Sequence, residues 1–184
     1  ITLELPVSLQ LARLYAHMTG VPVNLILDNE AHRAEAQRRV ALIESQIGMC
    51  EVAEFPMHGT SPIDIDAWID SKEQDNGLKM ECLIVDYADL LTTKVPGKEV
   101  NDYILMRHVY AQLQEIAKKR EMWIWTASQA SRGSKADHKP NAYIALDNVA
   151  DSMNKGRIAD MVLTLNPREE NQLEIYVAKH RLGR

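Results

Sequence analysis

The chain is poor in several things that would have set its class at once. It has two cysteines, Cys50 and Cys82, far apart and without metal-type spacing. That excludes a disulfide framework and fits a reducing compartment, so a cytoplasmic setting is expected. No apolar run reaches the roughly 18–20 residues of a membrane helix, and no signal peptide is visible. There is no excess of basic charge, since the formal net charge is −5. This does not advertise nucleic-acid binding, although a cleft or ring can concentrate basic loops locally. The six histidines show no His-Glu-x-x-His or similar spacing, and no Ser/His/Asp pattern stands out. Repeats and low-complexity segments are absent too.

What remains is an ordinary globular composition, with 46% hydrophobic and 26% charged residues in 184 positions. That is enough for one domain with a sizeable core, spanning residues 1–184. Residues 1–5 read as a strand and "CEVAEF" (50–55) as another. Pro6 opens a helix that Gly20–Pro22 ends. A second helix is predicted from Asn29 to Ile47, with Ala36, Val40, Ile43 and Ile47 on one face. "SPIDIDAWID" carries the marks of a helix start: Ser61 as N-cap, Pro62 first, Asp64 in the first turn. "CLIVDY" (82–87) and "MWIWTASQ" (122–129) read as buried strands, apolar on both faces as in a covered parallel sheet. A long helix between them carries Leu105, Val109, Leu113 and Ile116. A short helix near 146–154 leads to "MVLTL" and "LEIYVAKHR", an antiparallel pair. Strands alternating with helices predict an α/β sandwich around a mostly parallel sheet.

In such sheets ligands bind at the carboxyl ends of strands. Glu4, Asp86, Gln129, Lys179 and Arg181 stand at those ends, or on the last strand. Asp86 after an apolar run has the shape of a Walker B carboxylate, which holds Mg²⁺, usually through water; the alternative is a loop cap. Gln129 could sense a γ-phosphate or simply end a strand. Glu4 could polarise a water or be a surface acid beside a helix. Lys179 and Arg181, two apart, share a face and could neutralise phosphate; a charged edge strand is the competing reading. Two basic loops suit phosphate backbones: "TTKVPGKEV" with Lys94 and Lys98, and "ASRGSKADHKPNAY" with Arg132, Lys135 and Lys139.

Taken in order, "TLELP", "LIVDYADLL", "TASQASR", "ADMVLTL" and "VAKHRLG" resemble the motor domain of DnaB-type replicative helicases, within the RecA-like ATPases. The resemblance implies a RecA-like three-layer sandwich with a C-terminal antiparallel strand pair. It implies an ATP-hydrolysing DNA helicase, phage-like in variant, that unwinds duplex DNA as a homo-hexamer. ATP and Mg²⁺ would lie between subunits, single-stranded DNA in the channel, and a primase or helicase loader would be a further partner. Glu4 would activate water, Asp86 would hold Mg²⁺, Gln129 would report the γ-phosphate, and Lys179 and Arg181 would reach the neighbouring site.

The sequence also departs from the family. "VADSMNKGRIAD" replaces the family's Arg-Glu-Ser-Gly segment, with Lys155 and Arg157 as the basic residues there, and Asp89 stands where an uncharged residue is usual. A P-loop, Gly-x-x-x-x-Gly-Lys-Ser/Thr, is absent from the 184 residues. The expectation is a chain cut before residue 1, lacking the P-loop strand and helix, inactive alone and marginally stable or aggregation-prone. Two rivals stand beside it: a RecA/RadA-like recombinase or clock-type ATPase, and a non-catalytic RecA-like adaptor in a replication complex.

Overall fold

A computed structural model describes residues 1–43, 46, 48–94, 101–129, 153–168, 172–181 and 183, with residues 153 and 154 described by their backbone alone. The chain divides into two compact units, Ile1–Met57 and His58–Arg184.

The first unit holds three helices, α1 (Val7–Thr19), α2 (Val23–Asp28) and α3 (Glu30–Ile43). Pro6 sits just outside α1 as its N-cap, in extended conformation, and Gly20 ends the helix at φ 72°. Only a residue without Cβ takes that left-handed geometry freely. The single helix expected over 29–47 begins one residue later and is preceded by a separate short helix. Asn29 separates the two, its side-chain oxygen accepting the N–H groups of Ala31 and His32, which starts α3 afresh. Residues 44, 45 and 47 lie outside the described set. Ala12, Val21, Ile26 and Ala36 form the core of this unit. The two alanines permit α1 and α3 to approach closely. Arg39 donates to the Thr19 carbonyl at 3.0 Å, placing a cation at the negative end of α1.

The two expected strands of this unit shrink to one parallel bridge, Thr2–Glu54. Thr2 N–H donates to Ala53 O at 2.9 Å and Phe55 N–H to Thr2 O at 3.0 Å. The ladder stops because the Thr2 hydroxyl takes over the next backbone groups: it donates to Leu5 O at 2.7 Å and accepts from Leu5 N–H at 3.1 Å. Pro6 then has no N–H to give.

The second unit begins with α4 (Pro62–Asn76). Ser61 and Asp64 form a reciprocal capping box, and Gly77 closes the helix at φ 65°. Then come β1 (Cys82–Val85), a 3-10 turn (Ala88–Leu90), α5 (Asp102–Arg120), β2 (Trp123–Thr126), α6 (Met153–Ile158), β3 (Met161–Pro167) and β4 (Leu173–His180). Asn101 caps α5 through the Ile104 N–H. The expected helix over 146–154 falls mostly outside the described residues.

β1 and β2 are parallel and in register, Cys82 opposite Trp123 and Val85 opposite Thr126. β3 and β4 are antiparallel, with a register shift after Val162. So the architecture is α/β, with a parallel sheet and an antiparallel pair, as expected. Ile65, Ile69, Leu83, Val85, Val109, Leu113 and Ile116 are buried. Helix α5 packs against α4, β2 and α6.

The expectation that both strands are buried on both faces is corrected. Leu83 and Val85 face inward, but Ile84 is 62% exposed and Trp123 74%. Side chains alternate across a strand, and register puts Cys82, Ile84, Trp123 and Trp125 on one side. The outer face of the hairpin is likewise apolar and exposed at Leu163, Leu165, Leu173, Ile175 and Val177. Among the described residues no strand pairing joins the two sheets.

Candidate nucleotide and DNA site

Asp86 directly follows β1, and Gln129 lies three residues past β2. Because the strands are parallel neighbours, both residues stand at the same end of the sheet. Asp86 is half-buried and Gln129 exposed. The Gln129 amide approaches the Tyr87 hydroxyl at 3.5 Å. The loops are tied at their bases: Ala88 N–H donates to the Thr126 hydroxyl at 2.8 Å. The Asp86–Tyr87 peptide bond is cis.

Next to these residues in the chain, Asp89 and Ser128 join a part-buried polar cluster. One Asp89 oxygen accepts the Tyr110 hydroxyl at 2.7 Å and the Lys155 ammonium at 2.8 Å. The other accepts the Ser128 hydroxyl at 2.8 Å. Lys155 also donates to Ser128 at 3.2 Å and lies 5.6 Å from the Tyr110 ring centre, within cation–π range. Burial, reinforced by the Asp89 charge, pushes the Tyr110 phenol far above its usual range, so it stays a neutral donor.

Lys179 and Arg181 share a side, as their spacing implies, and both reach the end of α6. The Lys179 ammonium donates to the carbonyls of Gly156, Arg157 and Ala159 at 2.7, 3.0 and 2.7 Å. These are the orphan acceptors of a helix C-terminus. Arg181 donates to the Arg157 and Ile158 carbonyls and pairs with Asp160 at 2.5 Å. Burial first, then the Arg181 charge, lowers the Lys179 pKa, with Asp160 opposing.

Glu4 belongs to the other unit, exposed on the tight bend that Thr2 and Leu5 make before α1. Nearby, Glu54 accepts the Val7 N–H at 3.3 Å, satisfying one orphan donor of α1. Of the residues expected at DNA, Lys94 and Arg157 are exposed. Lys98, Arg132, Lys135 and Lys139 lie outside the described residues. Lys155 is 6% exposed and turned inward to Asp89. Sequence reasoning did not find Tyr110 or Ser128. It did single out Asp89 as an unexpected charge, and a second unexpected charge at Lys155 was the available signal that the two meet.

Among the described residues no group of three His, Cys, Asp or Glu could cage a metal. No helix among them is long and apolar enough to cross a membrane. The donor set at the sheet end is one carboxylate and one amide. That fits a hard cation that keeps most of its waters and shares nucleotide oxygens, as Mg²⁺ does.

No family model and no curated protein matches the sequence. Solved structures do. The fold is shared with two of them. Over its whole length the chain is similar to a DnaB-like replicative helicase studied with its interactions with primase, at 19% identity and a TM-score of 0.75. It is similar over the same span to a second solved structure, an ATPase domain, at 20% identity and a TM-score of 0.73. The chain spans 45% of the length of the former and 67% of the latter.

Proposed function

We propose that this chain, as a single RecA-like domain, carries the hydrolytic and coupling residues of an ATP-driven DNA helicase motor. It would work with a phosphate-binding loop that the 184 residues do not contain. The observation that carries this is the placement of Asp86 and Gln129 at the same end of paired parallel strands, on a fold shared with solved helicase and ATPase-domain structures. In this reading Asp86 would hold Mg²⁺, which when bound would supply charge neutralisation to the phosphates. Gln129 donates its amide to the terminal phosphate, and Glu4 takes the proton of the attacking water. Arg181, with Lys179 behind it, faces the nucleotide of an adjacent subunit in a hexameric ring. Lys94, Lys98, Arg132, Lys135, Lys139 and Arg157 hold the backbone of single-stranded DNA. Lys155 is reassigned from DNA contact, because its ammonium is already satisfied inside the fold.

A second reading is a non-catalytic adaptor, which would need no P-loop. The coding frame upstream of Ile1 separates the two. A Gly-x-x-x-x-Gly-Lys-Ser/Thr about 20–40 residues earlier is expected for the motor; a start codon beside Ile1 refutes it. With that segment joined in frame, DNA-stimulated ATP hydrolysis is expected, and Glu4→Gln should lower kcat by roughly 100-fold or more. Strand displacement rather than strand exchange would set it apart from a recombinase.

A further inference from the structure

The Asp89 cluster connects to the Lys179/Arg181 hairpin through one short helix. Asp89 joins three elements with a single carboxylate: α5 through Tyr110, the end of β2 through Ser128, and α6 through Lys155. The far end of α6 is held by Lys179 and Arg181. Gln114 of α5 adds a third hold, its amide donating to Ile158 O at 2.9 Å. Six residues are too few for a helix to sustain itself. Thus α6 owes its shape to clamps at both ends, one near the sheet end and one at the hairpin. Both Asp89 and Lys155 are also positions where the sequence departs from the helicase pattern.

We propose that the Asp89–Lys155 pair is a positioning device that fixes the Ser128–Gln129 strand end and α6 in one register. The sheet end and the Lys179/Arg181 hairpin then respond to one another. What those two ends do chemically rests on the proposed function; the mechanical link does not. A shift of Ser128 moves the Asp89 carboxylate, and with it the only charge that Lys155 touches among the described residues. Lys155 carries the shift into α6, whose last carbonyls orient Lys179 and Arg181. A pair that only adds stability predicts something different. Buried ion pairs are often no more stabilising than apolar side chains of similar size. Replacing both charges together should then leave the hairpin as it was.

Hydrogen–deuterium exchange of the 184-residue chain tests this without nucleotide or turnover. Asp89→Asn keeps the shape of the side chain and touches no residue of the hairpin. It is expected to speed exchange across 173–181 by about tenfold or more, because the Lys155 charge is left buried without its partner. Lys155→Arg should keep protection close to that of the unaltered chain, since it retains charge and reach. The double variant Asp89→Asn/Lys155→Met is the deciding one. It should recover the melting temperature while the hairpin stays fast-exchanging, because the clamp is gone but no charge is stranded. Recovery of both would overturn the proposal, and so would an effect of Asp89→Asn that is confined to 86–89 and 126–129. If Asp89→Asn fails to fold, the double variant and Lys155→Arg still decide the matter. If the chain shows the coupling but, once joined in frame to its phosphate-binding loop, never hydrolyses ATP, the motor reading alone is refuted.

Discussion

Arg120, in the last turn of α5, holds α4 to α5, and its removal should be the most damaging single change outside the apolar core. Its side chain is 7% exposed and meets three carboxylates of α4. It donates to Asp66 from Nε, to the Asp66 carbonyl at 2.9 Å, to Asp70 at 2.6 Å and to Glu73 at 3.1 Å. Lys119 adds a second cation to Asp66 at 3.0 Å. Breaking a buried pair by deleting one partner costs about 3–5 kcal/mol. Here the lower end applies, because Asp70 is 56% exposed and can return to water when released. Arg120→Met keeps the apolar stem and removes only the fork. We expect a loss of about 3 kcal/mol, or a fall in Tm of roughly 6–12 °C for a chain of this size. Arg120→Lys should recover less than half, since an ammonium cannot fork to several carboxylates at once. Urea unfolding followed by circular dichroism measures it. A midpoint shift equivalent to less than about 1 kcal/mol for Arg120→Met would refute the view that this residue holds the helix pair.

Three further outcomes are expected. Stability should fall with acid: burial disfavours the Asp66 carboxylate, but its bonds to Arg120 and Lys119 outweigh this and hold its pKa below the ordinary value. A depressed folded pKa contributes stability that is present above about pH 4 and lost as pH falls through the folded value. Urea midpoints between about pH 6 and pH 3 would show it, and the slope should flatten in Arg120→Met. Ser61→Ala removes the capping box of α4 and should cost about 1 kcal/mol in the same assay. The exposed hairpin face should drive self-association, and Leu165→Thr with Ile175→Thr, a facing cross-strand pair, should reduce light scattering at unchanged Tm.

The parts of the fold legible in the sequence were those with local chemistry. Ser61–Pro62–Asp64, Gly20 and the cations ending α5 each mark an element boundary by their own hydrogen-bonding or dihedral needs. Helix α2 was missed because six residues between Pro22 and Asn29 are too few to show a period, although Asn29 was a readable cap. The strand faces were misjudged because an apolar run says that a residue can be buried, not which neighbours cover it. The same limit applied at the site. Asp86 and Gln129 could be placed at one end of the sheet because each follows an apolar strand. The inward turn of Lys155 was not, because its partner lies on a different element and a lysine among polar residues reads as solvated. Lys179 was placed on the right strand, but no sequence pattern announces that three carbonyls at the end of α6 receive it.

The alternation of β1 and β2 equips the molecule with its own reporter. Two of the three tryptophans, Trp123 and Trp125, stand on the uncovered face, while Trp68 is half-buried in α4. Indole emission shifts to the blue when water leaves the ring. Any segment or subunit that settles on that face will therefore announce itself in the intrinsic fluorescence, with no label attached, and iodide quenching will count how much of it remains open.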